Sequence, residues 1–311
     1  MSAFANSVSS VLIILLLTAA GYILGIVKWM KEEHKVFLEK FLTNLALPCV
    51  CIDGLIGSLT TEILRSSWKV IVVAFAGICV TSALSAIIAF LLRLPRNRIA
   101  VFIGMAGFSN GLFVGYPMCR ELFGDEATVY VILFFVSCSF MIYVGCNTML
   151  AWFSERESNF SLIKIVKIVF NPPVVSIAAA VLIVILGISL PRPIAGFISY
   201  IGATVSPLAL IYCGFVIFEV GLKNIRIDRG MSVMLVIRFL VSPLIGVALC
   251  RLFNVEELAS SVLIVEMAMP VITILVVMSR QWDADSHYAA VGTVLSTLAC
   301  FIVIPVLMLF F

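Results

Sequence analysis

Long apolar runs recur along the whole chain, and they constrain the fold more than any other feature of the sequence. Ten such runs are separated by charged residues or by proline and glycine. Each approaches the roughly 20 apolar residues that a helix needs to cross a bilayer, where backbone groups must be paired within the segment. We therefore predict an all-α polytopic membrane protein. The predicted spans are residues 4–27, 36–58, 68–92, 99–122, 127–152, 171–189, 195–221, 231–252, 257–280 and 287–310.

The composition agrees with this class and argues against several others. Of the 311 residues, 63% are hydrophobic and 12% are charged, with a mean hydropathy of +1.21, whereas soluble domains are about half apolar and a quarter charged. All nine cysteines lie within apolar runs, and none is spaced with histidines as a metal site requires. We predict no metal, cofactor or nucleic acid, and no enzymatic activity, because no nucleophile–base pair is found.

Lysine and arginine are unevenly distributed between the predicted loops. Loops after odd-numbered spans hold thirteen and loops after even-numbered spans hold five, while Lys40 and Arg238 lie within spans. Because basic residues concentrate on the cytoplasmic side of a membrane, we expect the odd-numbered loops in the cytoplasm and both termini outside. The longest connection, residues 154–170, is predicted to lead into an amphipathic interfacial helix.

The chain also repeats itself at an offset of about 160 residues. The matched motifs are “NLALPC” with “ATVSPL”, “LLRL” with “LCRL”, and “YILGI” with “VILGI”. Because a repeat unit of five spans crosses the membrane an odd number of times, its second copy enters from the opposite side. This arrangement is the inverted repeat of many secondary transporters. The predicted domains are a first repeat at residues 1–152, a cytoplasmic segment at 153–170 and a second repeat at 171–311.

The fourth and ninth predicted spans carry helix-breaking residues near the centre of the membrane. The fourth contains Ser109-Asn110 within “GFSNGLFVGYP”, and the offset relates this pair to Pro270-Val271 in the ninth. Each break starts a half-helix with free N–H groups and a partial positive charge. Because the two spans run antiparallel, these ends converge on an anion site with Asn110 at its edge. The alternative is a glycine-rich face for helix packing.

Two ionisable residues are predicted within the membrane near these breaks. Glu266 lies four residues before Pro270, on the same helical face as the break. It is a candidate for binding a coupling ion or proton, and the alternative is a structural partner for a nearby helix end. Arg238 lies closer to the cytoplasm, where it could bind a substrate carboxylate or extend towards the interface.

The order and spacing of four motifs resemble the auxin efflux carrier family, which includes plant auxin exporters and bacterial organic-acid carriers. These motifs are “NLALP”, “SNGLFVGYPMCRELFG”, “NPPVVSIAAAVLIVILGISLP” and “EMAMP”, and the resemblance covers essentially the whole chain. It implies a ten-helix carrier whose broken fourth and ninth helices cross at the substrate site. It also implies a scaffold of spans one, two, six and seven, often dimeric, against which the other six spans move as an elevator.

The resemblance further implies that Asn110 binds the substrate, with Pro270 and Thr273 facing it. Ser109 stands where plant members have a proline, and Val271 stands where they have a polar residue. The long cytoplasmic loop of many plant carriers is also absent. These departures fit a bacterial carrier of small carboxylates better than an auxin carrier. The predicted substrate site comprises Ser109, Asn110, Gly111, Pro270, Val271 and Thr273.

The sequence as a whole therefore predicts a multi-pass secondary transporter. We expect it to move a small organic anion, a carboxylate or dicarboxylate, across a plasma or inner membrane with H⁺ or Na⁺ as the coupling ion. We also expect a homodimer in the lipid bilayer, formed through the scaffold helices. The alternatives are a membrane receptor that binds a similar ligand without moving it, and a channel.

Overall fold

The computed structural model describes residues 2–58, 61–154, 171–221, 225 and 227–310. Within these ranges the chain is helical, and an isolated β-bridge is the only extended pairing. Seven continuous helices are long and apolar enough to cross a membrane. The protein is thus an all-α polytopic membrane protein, as predicted. The predicted interfacial helix falls almost entirely on residues 155–170, outside the described ranges.

Twelve helices are numbered here in chain order within the described residues. The helices α1 to α6 are Ser2–Ile26, Glu32–Ser58, Thr61–Leu91, Arg96–Gly107, 111–123 and Ala127–Phe153. The helices α7 to α12 are Pro172–Ile185, Arg192–Val220, Arg229–Leu252, Glu257–Met267, Ile274–Gln281 and Ser286–Leu307. A short 3₁₀ turn, Met308–Phe310, follows α12.

Two of the predicted spans each correspond to a pair of short helices. In the predicted fourth span, α4 ends at Gly107 and α5 begins at Gly111. In the predicted ninth span, α10 ends at Met267 and α11 begins at Ile274. In both places several residues between the helices leave the helical conformation, close to the glycines and the proline that predicted these interruptions.

Side-chain caps fix where several helices begin. The Asn171 side chain accepts a hydrogen bond from the N–H of Val174 at 3.1 Å, and prolines follow directly at the start of α7. The side chain of Asp228 accepts from the N–H of Met231 at 2.7 Å at the start of α9. Such caps pair amides that have no acceptor within the helix, so these starts are specified locally.

The helix contacts can be described as two groups, which also contact each other. In the first group, α1 packs against α8 and α2 packs against α7. In the second group, α3 packs against α4, α6 and α9, while α12 packs against α4 and α11. Glycines allow the α1–α8 contact, because a Cβ added at Gly214 would collide with the carbonyl of Thr18.

An ion cluster joins the starts of α4, α9 and α12 at one end of the second group. The Nε of Arg98 donates to Asp285 at 2.7 Å, and its Nη1 donates to Asp228 at 3.3 Å. Burial raises the pKa of the Asp285 carboxyl, but the N–H of Tyr288 and the Arg98 guanidinium lower it by more, so the pKa lies below its usual range. The cluster holds the starts of three helices together.

Candidate functional site

The two interruptions, residues 108–110 and 268–273, lie against each other and are joined through their backbones. Together they are called the crossing. The N–H of Asn110 donates to the carbonyl of Pro270 at 2.8 Å, and Ser109 and Val271 form an isolated antiparallel bridge. The N–H of Val271 donates to the hydroxyl of Ser296 on α12 at 2.9 Å. Several of the backbone groups released by the helix ends are therefore paired within the protein, which makes non-helical backbone tolerable at membrane depth.

A cavity of about 180 Å³ lies beside this crossing. Asn110 lines it and is only 5% exposed, and no described residue hydrogen-bonds its side-chain amide. The helix α5 begins directly afterwards at Gly111, which also lines the cavity. Because the first N–H groups of a helix have no acceptor within it, this end of the cavity offers hydrogen-bond donors suited to an anion.

The predicted substrate residues divide into two sets. Ser109, Asn110, Gly111 and Thr273 line the cavity. Pro270 and Val271 are buried at the crossing and do not line it, but their backbone groups hold it together. The structure thus brings together four of the six residues around one space.

Much of the remaining cavity wall comes from α2, α6, α7 and α8, which no sequence pattern had related to the site. The wall includes aromatic side chains, and the rings of Phe113 and Tyr212 meet edge to face with centroids 5.4 Å apart. The hydroxyl of Tyr212 donates to Glu39 at 3.5 Å, and Thr43 lies one turn along α2 from Glu39. The four-residue spacing of Glu39 and Thr43 was the available signal, because it places both on one face of a helix. The other wall residues include Phe134, Phe135, Tyr143 and Asn171.

Glu266 lies behind α5 and does not line the cavity. It is fully buried, and its Oε1 accepts a long hydrogen bond of 3.7 Å from the thiol of Cys119. A Cβ added at Gly111 would lie 2.6 Å from Oε2, and Gly115 packs equally closely against the carboxyl. Oε2 itself has no hydrogen-bond partner among the described residues. A buried charge in such a position is costly unless a proton or a cation compensates it.

Arg238 is fully buried and joins the two crossing segments. Its Nε donates to the carbonyl of Met269 at 2.6 Å, and its Nη1 donates to the carbonyl of Ala106 at 2.9 Å. The carbonyl of Ala106 lies in the last turn of α4 and that of Met269 lies just after the end of α10, where partial negative charge accumulates. Arg238 does not line the cavity, so the structure does not place it beside Asn110 as a substrate ligand.

Comparison with known proteins gives one family and two similar proteins. The family model described as “Membrane transport protein” matches residues 6–308. An uncharacterized transporter of Methanocaldococcus jannaschii is 24% identical over 303 residues, covering 94% of this chain and 95% of the relative. An uncharacterized transporter of Methanothermobacter thermautotrophicus is 27% identical over 311 residues, covering 97% of each. These similarities extend over nearly the whole chain.

Proposed function

The chain belongs to the membrane transport protein family, as its resemblance to the auxin efflux carriers predicted, and we propose that it is a secondary transporter of a small organic anion. Family membership and the two similar transporters make it a membrane transporter rather than an enzyme. The proposal adds the substrate class, a carboxylate or dicarboxylate, coupling to H⁺ or Na⁺, and alternating access.

The observation that carries the substrate class is the position of Asn110. Its side chain is nearly buried, lines the cavity and lacks a partner among the described residues. It immediately precedes the start of α5, so amide donors from a side chain and from a helix start lie together. No basic side chain is found among the residues described as lining the cavity. An anion bound there would be recognised by hydrogen bonds and helix polarity, as in carriers with discontinuous helices.

Ten spans in two inverted repeats are part of the proposal. They are the seven long helices, the shorter α7, and the interrupted pairs α4–α5 and α10–α11. The offset relates α1 to α7 and α2 to α8. If a two-fold axis relates the two repeats, the packing of α1 against α8 requires an equivalent packing of α7 against α2. Both pairs of helices pack together. This reciprocity supports inverted repeats at residues 1–152 and 171–311.

We propose an elevator motion, and the division of the helices into two groups supports it. We propose that α1, α2, α7 and α8 form a fixed scaffold, which also makes a homodimer through its outer surface. The crossing and its bracing residue Arg238 belong to the other group, so the substrate would move with it as a unit. The cavity is bounded by both groups, with Asn110 on one and Glu39 on the other. Sliding of one group past the other would therefore change access to the site.

Glu266 is the proposed coupling residue. Its carboxyl packs against the glycines at the start of α5, the helix that begins beside Asn110. Protonation or a bound Na⁺ would remove the negative charge behind this helix start and so favour anion binding on its other side. Binding of the cation and of the anion would then be thermodynamically linked. In this proposal Arg238 stabilises the crossing, and contact with substrate would require it to release Met269 and Ala106.

The test is flux into proteoliposomes that contain the purified protein. A panel of labelled mono- and dicarboxylates is supplied with an H⁺ gradient, with a Na⁺ gradient, or with neither. We expect uptake of at least one carboxylate, with accumulation against its gradient only when one of the two ions is supplied. Saturable binding without flux would instead support the receptor alternative. Neither binding nor flux of any carboxylate would refute the proposed substrate class.

A further inference from the structure

The cavity is lined by two chemically different sets of polar groups. At the crossing it is lined by Ser109, Asn110 and Thr273, which present hydroxyl and amide groups. On α2 it is lined by Glu39, whose carboxylate accepts from Tyr212 at 3.5 Å. The ring of Tyr212 packs edge to face on Phe113, three residues after Asn110, so a chain of aromatic contacts leads from the start of α5 to Glu39. A ligand that binds with a carboxylate at the crossing and extends along these rings would place its other end towards Glu39.

The charge of Glu39 is not neutralised by the basic residues nearest to it in sequence. Lys35, one turn earlier on α2, is held by Glu219 with an Nζ–Oε2 distance of 2.6 Å. The adjacent Lys40 is exposed. Among the described residues that line the cavity, Glu39 is the one that carries a carboxylate, and none carries a basic group. Glu39 is also half-buried, and charge interactions are stronger there than in bulk water.

We propose that Glu39 sets the charge selectivity of the cavity. A ligand with one carboxylate at the crossing and an amine at its far end is favoured, because the ammonium group meets the Glu39 carboxylate. A dicarboxylate is disfavoured, because its second carboxylate meets the same negative charge. A monocarboxylate with an uncharged far end should bind with an affinity between those of the other two ligand types. The inference rests on the proposed function, which places the first carboxylate at the crossing, and it narrows the substrate class to monocarboxylates.

The size and lining of the cavity suggest suitable probes. A cavity of about 150 Å³ lined by apolar side chains can hold a benzene ring, and this one is about 180 Å³ with an aromatic wall. Three para-substituted benzoates share one ring and one carboxylate and differ only in the opposite group. They are 4-(aminomethyl)benzoate, 4-methylbenzoate and terephthalate, whose opposite groups are cationic, neutral and anionic.

The experiment measures the binding of these three benzoates to the purified full-length protein by calorimetry. For the parent protein we expect the affinity to fall from the aminomethyl compound to the methyl compound to terephthalate, by about tenfold at each step. Glu39→Gln should bring the three affinities within about threefold of one another. The matched control is Glu33→Gln, which removes the same charge from an exposed position on the same helix and should preserve the parent's order.

Two different failures can be told apart. If terephthalate binds the parent protein as tightly as 4-methylbenzoate, if Glu39→Gln keeps the parent's order, or if a carboxylate of the flux panel binds while none of the three benzoates does, the selectivity proposal is wrong and the anion site stands. If neither these probes nor any carboxylate of the flux panel binds the parent protein, the proposed function fails and this inference fails with it.

Discussion

At the scale of single residues, Asn110 combines burial with an unused side-chain amide. We predict that Asn110→Ala weakens substrate binding by about 1–3 kcal/mol, because a buried hydrogen-bond partner of the ligand is lost. Calorimetric titration of the purified variant with a transported carboxylate would measure this. The control is Asn97→Ala, which removes an exposed amide away from the cavity and should leave the affinity unchanged. A folded Asn110→Ala variant with the parent's affinity would exclude Asn110 from the site.

Glu266 gives a second prediction at this scale. Glu266→Gln mimics the neutral carboxyl in a space that two glycines leave for it. We expect the variant to bind and exchange substrate across the membrane but to lose accumulation against a gradient, because the linkage to a cation is removed. Counterflow and gradient-driven uptake in proteoliposomes would separate these two activities.

The control for this variant is Glu257→Gln, in the exposed first turn of the same helix α10. It should retain uphill uptake. Uphill uptake by Glu266→Gln with the parent's dependence on pH and Na⁺ would show that Glu266 is structural and that coupling occurs elsewhere.

At the scale of helices, Arg238 holds the ends of α4 and α10 at the crossing. We predict that Arg238→Met lowers stability by about 3 kcal/mol or more, because two buried carbonyls lose charge-assisted donors. Arg238→Lys should restore the stability only in part, since a single ammonium nitrogen cannot reach both carbonyls as the planar guanidinium group does. Thermal unfolding in detergent measures the effect, with the exposed Arg251→Met on the same helix as control. Equal melting temperatures for the parent and Arg238→Met would contradict the bracing role.

The contact between α1 and α8 depends on close approach of their backbones. We predict that Gly214→Ala destabilises the protein, because the added methyl group meets the Thr18 carbonyl across the helix interface. Gly196→Ala is the matched control on the same helix, since a Cβ there meets nothing within 4 Å. Its melting temperature should equal or exceed that of the parent, because alanine favours the helix. A Gly214→Ala variant as stable as the parent would show that the stability of the protein does not depend on this close approach of α1 and α8.

At the scale of the whole molecule, the distribution of basic residues predicts the orientation in the membrane. In a cysteine-free background, Ser158→Cys should react with an impermeant thiol reagent only when the cytoplasmic side is opened. Ser158 lies outside the described residues, so this expectation rests on the charge distribution. Glu126→Cys, in the exposed loop between α5 and α6, is the control and should react from outside in intact cells. The reverse pattern of labelling would overturn the predicted topology.

Much of the architecture could be predicted from sequence because it depends on local properties of the chain. Apolar runs of membrane length specify helices, since lipid leaves the backbone no other way to pair its polar groups. Glycine and proline likewise indicated where α4 and α10 would stop, and Asn110 was identified from its place in that interruption. These features depend on residues that are close together in the sequence.

Tertiary packing decided which distant side chains share a space. Tyr212 and Glu39 are 173 residues apart and meet in the wall of the cavity, although no local pattern relates them. The sequence allowed Arg238 to be a substrate ligand, but in the packed structure it donates to the backbone carbonyls of Ala106 and Met269, near the ends of two other helices. Hydropathy specifies that a helix lies in the membrane, not which of its faces meets which neighbour. The cavity wall outside the crossing and the partners of the buried Arg238 and Glu266 were therefore decided by how the helices pack.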